Sequence, residues 1–343
     1  MNLFVIETME EFEEIKDAWN RLLEKNSELT AFQTWEFNYY WWKMNSEKGV
    51  LHIICFGNKK ELHFIAPLYI DERKSLVFLQ SGSVDFLDVI YDEAFFAPHI
   101  FIKKFSDHLL LSKSFKRAHL TQMRCNSILL HYFPYYFRKT PYYIQQTDLY
   151  SFIDKKLFDS TRFLKHVNSK QYKSLKKIDK NIQSCFELIE STKTDFPGQI
   201  IEEIIEKMVK RGIREESIYH RQLEYMKKLY ECDKIFFIAQ KSDKEQYISI
   251  TCLVRLQNNR VMSWMDLYDP SVKSSNLKNY LHIINFCNAK GADFDMGTGI
   301  YPYKIQNFSP ETGALFTFFF YKKAHEFVYY FFRKTVAKAL GVI

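Results

Sequence analysis

The sequence predicts a mixed α/β fold in which strands and helices alternate through two domains of like architecture set in tandem. Three observations predict it. The second half carries three β-rich runs, 235–240, 247–256 and 261–267, separated by turn-forming KSDKE and QNNR and followed by a helical pattern. The first half repeats that succession of elements without repeating the sequence. The length of 343 residues exceeds what one core usually organises, and 17% aromatic content against only 10 glycines argues that the whole chain folds.

In chain order, the first half reads as a strand at 3–6, helices over 9–24 and 35–44, and strands at 51–56, 62–70 and 76–79. A helical stretch over 93–111 and strands at 118–122 and 142–149 complete it. A basic helix over 162–180 joins the halves, and a boundary near Tyr150 gives domains of 1–150 and 151–343. The second half reads as a strand at 185–189, helices over 199–210 and 216–231, and the three-stranded meander, with Asn258 and Asn259 suited to a positive φ at its second turn. Leu277, Tyr280, Leu281, Ile284 and Cys287 then recur at helical spacing, with Ser274 and Ser275 placed to cap the start and Gly291 to end the helix. A short strand at 293–296, a glycine-containing loop, a short helix and a strand at 315–321 follow. The aromatic tail, 316–332, is interrupted by Lys322, Lys323, His325 and Glu326 and is expected to pack on the core rather than enter a membrane.

Composition narrows the function classes. A net charge of +7 suits an anionic ligand and equally an ordinary basic protein. The six cysteines lack a CxxC pair, as expected of reduced thiols in the cytoplasm, and the acidic amino terminus has no signal-peptide pattern. The ten histidines form neither HExxH nor a ligand-spaced cluster with cysteine, so no metal is expected. The absence of GxSxG, a P-loop and a dinucleotide fingerprint leaves hydrolase, kinase and dehydrogenase readings without support.

Three stretches carry a resemblance. FQTWEFNYYWW at 32–42, KRG at 210–212 and FDMGTGIYPYK at 294–304 resemble signatures of the tandem-GNAT acyltransferases, a group distantly similar to the FemAB peptidoglycan enzymes, and the element order of each half is similar to the GNAT fold. Within the group the chain looks most like sugar N-acyltransferases. The resemblance implies transfer of a short acyl or hydroxyacyl group from acyl-coenzyme A to the amine of a dTDP-linked amino-dideoxyhexose, with a 3-amino-3,6-dideoxy sugar favoured, for surface polysaccharide. The chain departs from the common DFGRGDEPYK, because Thr298, Ile300 and Tyr301 replace an Arg, an Asp and a Glu. KSSNLK, 273–278, stands where typical GNAT proteins carry a glycine-rich pyrophosphate loop.

The chemistry then assigns candidates. A helix amino terminus receives phosphate through free amides and its dipole, which points to Lys273, Ser274, Ser275, Asn276 and Lys278 for coenzyme A; simple capping accounts for the serines equally well. The matching point in the first half has Asp92 and Glu93, which would repel pyrophosphate, so the first domain is expected to form a wall for the acceptor and the second to bind the donor. By analogy with the GNAT fold, a backbone amide near Met265 or Asp266 would meet the oxyanion, Asp295 and Asp266 are candidate bases, and Tyr303 would give a proton to the leaving thiolate. Asp295 has a second reading, as the group that orders the loop at 297–299, and attack without a protein base is a further alternative.

For the nucleotide-sugar acceptor, Trp35 and Tyr39 are candidate aromatic contacts, Gln80, Asp85 and Asp88 polar ones, Lys173 and Arg211 cationic ones, and Gly299 and Lys304 would line the reacting end. Two other classes compete: a FemAB-like aminoacyl transferase using charged tRNA, disfavoured here because only a single joining helix is present, and a non-catalytic anion-binding module. Neither nucleic acid nor stable membrane insertion is part of the main reading, and the sequence leaves the oligomeric state open.

Overall fold

The computed structural model describes residues 2–27, 29–95, 98–159, 163–181, 184–213, 219–256 and 259–339. The first strand, helices and meander are β1 (Asn2–Ile6), α1 (Met9–Glu14), α2 (Lys16–Leu23), α3 (Trp35–Asn45), β2 (Gly49–Leu51), β3 (Ile53–Asn58), β4 (Glu61–Ala66), β5 (Leu68–Asp71), β6 (Ser75–Phe78) and β7 (Ile90–Tyr91). They lead through α4 (Pro98–Leu111), β8 (Arg117–Arg124) and α5 (Ile128–Tyr136) to β9 (Tyr142–Ile153). After the short β10 (Phe158–Asp159) and β11 (Phe163–Leu164) come α6 (Ser169–Asn181), β12 (Ser184–Ile189), α7 (Gly198–Lys210), α8 (Tyr219–Glu231), β13 (Ile235–Ser242), β14 (Tyr247–Leu256) and β15 (Arg260–Tyr268). The chain ends with α9 (Ser275–Lys290), β16 (Asp293–Thr298), α10 (Pro302–Phe308), β17 (Glu311–Tyr321) and α11 (Ala324–Ala339).

These elements form two compact units. Unit 1 comprises Met1–Asp148 and Ala314–Ile343, and unit 2 Leu149–Gly313. The strand at 315–321 therefore groups with unit 1 and not, as its place in the sequence suggests, with the second domain. The cause is pairing: β17 lies antiparallel to β8, with Leu315 opposite Arg124 and Tyr321 opposite Arg117. Conversely, the end of β9 lies against β16, with Phe152 opposite Asp295 and Tyr150 opposite Thr298.

Unit 1 holds two sheets. β1, β3, β4 and β7 form one, and β9, β17, β8, β6, β5 and β2 follow one another in the other. The sequence expectation of single strands at 51–56 and 62–70 gives way to two shorter strands each, because the chain changes sheets at His52 and Pro67. Proline has no amide hydrogen for a ladder, and here its carbonyl accepts Leu79 N at 2.8 Å. The helix expected over 9–24 likewise breaks at Ile15, and the stretch expected over 93–111 starts only at Pro98. The described residues add α5, a helix capped by Ser127 that keeps Pro134 within it.

Unit 2 is a sheet in the order β12-β13-β14-β15-β16-β9. α9 covers it, burying Tyr280, Leu281, Ile283, Ile284 and Cys287 against Leu253, Phe294 and Phe308. Gly291 ends α9 at φ 60°, its amide bonded to Asn288 O, a left-handed turn that costs glycine little. Asn259 takes a positive φ as expected, while Asn258 lies outside the described residues. The joining helix starts at Ser169 rather than 162, and its Gln171 side chain donates to Gln306 O and Ser309 Oγ beside α10. Among the described residues no helix is long and apolar enough to cross a membrane.

Candidate functional site

The feature that organises unit 2 is a parting of two parallel strands. β15 and β16 pair only through Arg260–Asp293, Val261–Phe294 and Met262–Asp295, yet β15 runs on to Tyr268 and β16 to Thr298. Beyond Met262 the two strands continue without pairing to each other. A register shift opens at the same place, because Cys252 faces Met265 while Leu253 faces Ser263, leaving Trp264 as the extra residue of a bulge. Met265 and Asp266 thus sit on the stretch of β15 that borders the gap.

Asp266 is the hub of the side chains there. Its Oδ1 accepts Thr251 Oγ1 at 3.0 Å and Ser263 Oγ at 2.8 Å, and its Oδ2 accepts Tyr280 OH at 2.6 Å. Thr251 in turn accepts Asn279 Nδ2 at 2.6 Å. The Tyr303 ring packs edge-on against Tyr280 with centroids 6.1 Å apart, which sets its hydroxyl beside the Tyr280–Asp266 pair. Burial, reinforced by the Asp266 charge, pushes the Tyr303 hydroxyl up to about 12 and holds Tyr280 well above the usual tyrosine range, so both stay protonated at neutral pH.

The start of α9 closes one side. Ser274 occupies the cap position in a left-handed conformation, φ 64°, and its side chain makes no capping bond. Ser275 Oγ and Asn279 Oδ1, one helical turn apart, are buried without a hydrogen-bond partner. Residues 269–274 are shaped by Asp269, which accepts the Ser271 amide and hydroxyl and pairs with Lys207 at 2.9 Å. Lys273 is exposed and Asn276 half-buried at this turn. Lys278 is buried and engaged with the carbonyl and carboxylate of Asp179, so its charge is spent on bracing α6 rather than offered to a ligand.

The other expected residues divide sharply. Asp295 is fully buried; its Oδ1 accepts Gly297 N at 2.9 Å and its Oδ2 lies 3.9 Å from Arg260, which favours the loop-ordering reading over the base. Lys304 is also buried, and its ammonium group donates to Met296, Thr298 and Gly299 carbonyls at 2.6, 3.2 and 3.2 Å. It clamps the loop from within instead of lining a substrate. Gly299, at φ 82°, is half-buried in that loop.

In unit 1 the expected acceptor contacts are structural. Trp35 is 4% exposed, donates to Phe12 O at 2.9 Å and stacks on Tyr39 at 4.1 Å; Tyr39 is tied to Glu13. Gln80 is buried and donates to Phe32 O at 2.8 Å. These three pack the core, which removes the expected aromatic platform: a helix this rich in aromatics buries them at helical spacing. Asp88 accepts Val89 N and Ser127 Oγ, and burial pushes its carboxyl up to about 6. Asp85 is half-buried in the same loop, and Asp92 is paired with Lys25 at 2.8 Å. Lys173 and Arg211 are exposed.

Sequence reasoning missed Tyr280, Thr251, Ser263 and Asn279. Tyr280 reads as one more apolar position of α9, but Thr251 was within reach, because closing the β14–β15 hairpin sets it opposite Asp266.

No family model matches this chain, and no curated protein matches it. Solved structures do. The C-terminal domain of a protein assigned as a lysylphosphatidylglycerol synthetase from Agrobacterium fabrum is 11% identical, with a TM-score of 0.60 over 95% of this chain and 96% of that one. FemX is 8% identical, with a TM-score of 0.57 over 94% and 98%. A tandem GNAT protein from the clavulanic acid biosynthesis pathway is 8% identical, with a TM-score of 0.52 over 92% and 98%. At such identities the likeness speaks of fold: the chain has the tandem GNAT-like fold.

Proposed function

We propose that this chain transfers an activated acyl group to an amine, with the reacting centre in unit 2 and an acyl-coenzyme A as donor. The observation that carries the reading is the gap between β15 and β16, which do not pair with each other beyond Met262 and Asp295, together with the start of α9, whose cap residue Ser274 makes no side-chain bond. An extended pantetheine arm can pair with strand in such a gap as an added strand would, and the positive dipole end of α9, where Val272 O and Asn276 Oδ1 already hold the Ser275 and Leu277 amides, suits its pyrophosphate. Met265 and Asp266 supply backbone amides beside the gap for the developing oxyanion.

The side-chain chain gives the proton route. The amine attacks the thioester carbonyl, and the departing thiolate takes the proton of Tyr303, whose ring packs edge-on against Tyr280, itself hydrogen-bonded to the Asp266 carboxylate. A donor pushed up to about 12 keeps its proton until the thiolate develops. Attack by the neutral amine needs no further base, and the extra proton of its nitrogen returns through solvent to the Tyr303 oxygen, which restores the donor.

A second reading has specific support. FemX and the lysylphosphatidylglycerol synthetase domain resemble this fold, and the latter's name describes a product in which the acyl group is an amino acid. An aminoacyl donor carried by tRNA would use the same gap for its ester. These structures favour that reading over a nucleotide-sugar acceptor, whose expected contacts Trp35, Tyr39 and Gln80 are buried.

The deciding experiment incubates the full chain with a panel of acyl-CoAs and amines, including dTDP-linked 3-amino and 4-amino dideoxyhexoses, and in parallel with aminoacyl-tRNAs. Thiol release with a mass gain equal to the acyl group on one amine is the expected result. Transfer from aminoacyl-tRNA alone would replace the donor, and no turnover or binding with either would remove the proposal.

A further inference from the structure

Unit 1 contains a cavity of about 320 Å³ that the reaction in unit 2 does not use. It lies where β6 and β8 begin and β17 ends, and the start of α11 closes it. Arg73, Lys116, Arg117 and Arg333 line it, together with Tyr329 and a single carboxylate, Glu326. Its size is at the lower end of the roughly 300–1,000 Å³ of small-molecule sites.

What distinguishes this cavity is that it gathers several cations around one space, whereas Lys25, Lys59, Lys207 and Arg255 each face a carboxylate, Asp92, Glu14, Asp269 and Glu190. Among the described residues, none of the four cavity cations is ion-paired. Arg117 donates its Nε to Ser75 Oγ at 2.8 Å, which fixes the guanidinium plane and leaves its forked end available. The walls are fixed as well. Lys116 N donates to Lys74 O and Lys322 N to Lys116 O, and Tyr330 packs α11 onto Phe319, Tyr321 and His119.

We infer that this cavity is a binding site for a phosphate-bearing ligand. Two or more guanidinium forks converging with an ammonium group match the several oxygens of a phosphate or diphosphate, and like charges gathered this way are relieved when an anion binds. The ligand has an apolar neighbour at hand, because Val328, Tyr329 and Phe332 of α11 are 64%, 63% and 68% exposed beside it. The phosphate can belong to a lipid headgroup, with these side chains resting in the bilayer surface, or to a soluble metabolite. The inference does not rest on the acyl-transfer reading.

The test titrates inorganic pyrophosphate into the full chain and into an Arg73→Ala/Arg333→Ala variant. Any binding at α9 contributes equally to both, so the difference reports the cavity. At least a tenfold weaker affinity in the variant, with unchanged acyl-transfer activity, is expected. Equal affinity in the two proteins, or no binding by either, overturns the site. Sedimentation with vesicles of phosphatidylglycerol and phosphatidylcholine, against phosphatidylcholine alone, identifies the source. Cosedimentation with the anionic vesicles, lost in the variant, assigns a lipid phosphate; pyrophosphate binding without cosedimentation assigns a soluble one.

Discussion

In unit 1 the parallel pair β6 and β8 parts after Val77 and His119, much as β15 and β16 part after Met262 and Asp295. The chain between β6 and α4 then folds back into the opening. Leu87 N donates to Gln122 O at 3.1 Å, Ser81 and Thr121 hydroxyls meet at 3.1 Å, the Gln33 side chain holds Phe86 O, and Val84, Phe86 and Leu87 are buried there. Unit 2 has only residues 269–274 between β15 and α9, too short a segment to do the same. One gap is plugged by its own loop, and the other is not filled by the connection that follows its strand. Two copies of an architecture can thus diverge in capacity through the length of a single connection, without change of sheet order.

Removing the Tyr303 hydroxyl is the strongest way to break that distinction, since it would leave unit 2 with a gap but no proton donor. Tyr303→Phe is expected to lower kcat by roughly 10²–10⁴-fold in a thiol-release assay with KM little changed. An undiminished kcat would hand protonation to solvent. In the wild-type enzyme no alkaline loss of rate from this group is expected below about pH 11, because deprotonation begins only near the value of about 12.

Ser274→Asp sharpens the same comparison at the donor end. Aspartate tolerates the left-handed cap position and caps helices well, so the fold is kept, while its charge meets the pyrophosphate as Asp92 and Glu93 would have been expected to do in unit 1. Coenzyme A affinity, read by calorimetry, should fall roughly tenfold or more, on the order of the 1.4 kcal/mol that a decade of affinity represents. Unaltered affinity would detach the donor from α9.

The smallest effect is a difference in acid sensitivity. His52, His108 and His119 in unit 1 and His282 in unit 2 are each pushed down to about 4, chiefly by burial. Their folded forms bind protons less readily than the unfolded chain, whose histidines titrate near 6.5. The stability they contribute is therefore complete above about pH 6.5 and is lost as pH falls toward 4. Asp88, pushed up to about 6, acts in the opposite sense, but three histidines outweigh it in unit 1. Hydrogen exchange at pH 5 should show unit 1 opening before unit 2, and the reverse order would contradict this account.

Much of this architecture could be read in the residues. The meander at β13–β15 and the helix α9 follow from alternation, turn chemistry and apolar spacing, and their bounds hold to within a few residues. Strand exchange could not be read, because which edge β17 meets depends on tertiary pairing and not on local pattern. The aromatic helix α3 misled for a related reason. Trp35, Tyr39 and Trp42 recur at the i, i+4, i+7 spacing of a buried stripe, and that period outweighs the appeal of an exposed platform. Buried charge was the hardest to foresee: Asp295, Lys304 and Lys278 look like chemistry in a sequence and turn out to hold loops and helices together.

The exchanged strands also govern the order in which the molecule can be made. β8 in unit 1 must wait for β17, whose residues leave the ribosome after the whole of unit 2 has been synthesised. Until then β8 presents an unpaired edge, and closing it requires a contact spanning just over two hundred positions, Arg117 with Tyr321. The nascent chain thus carries a built-in delay during which unit 1 is open to mispairing with a neighbour, and a demand for chaperone protection follows from topology alone.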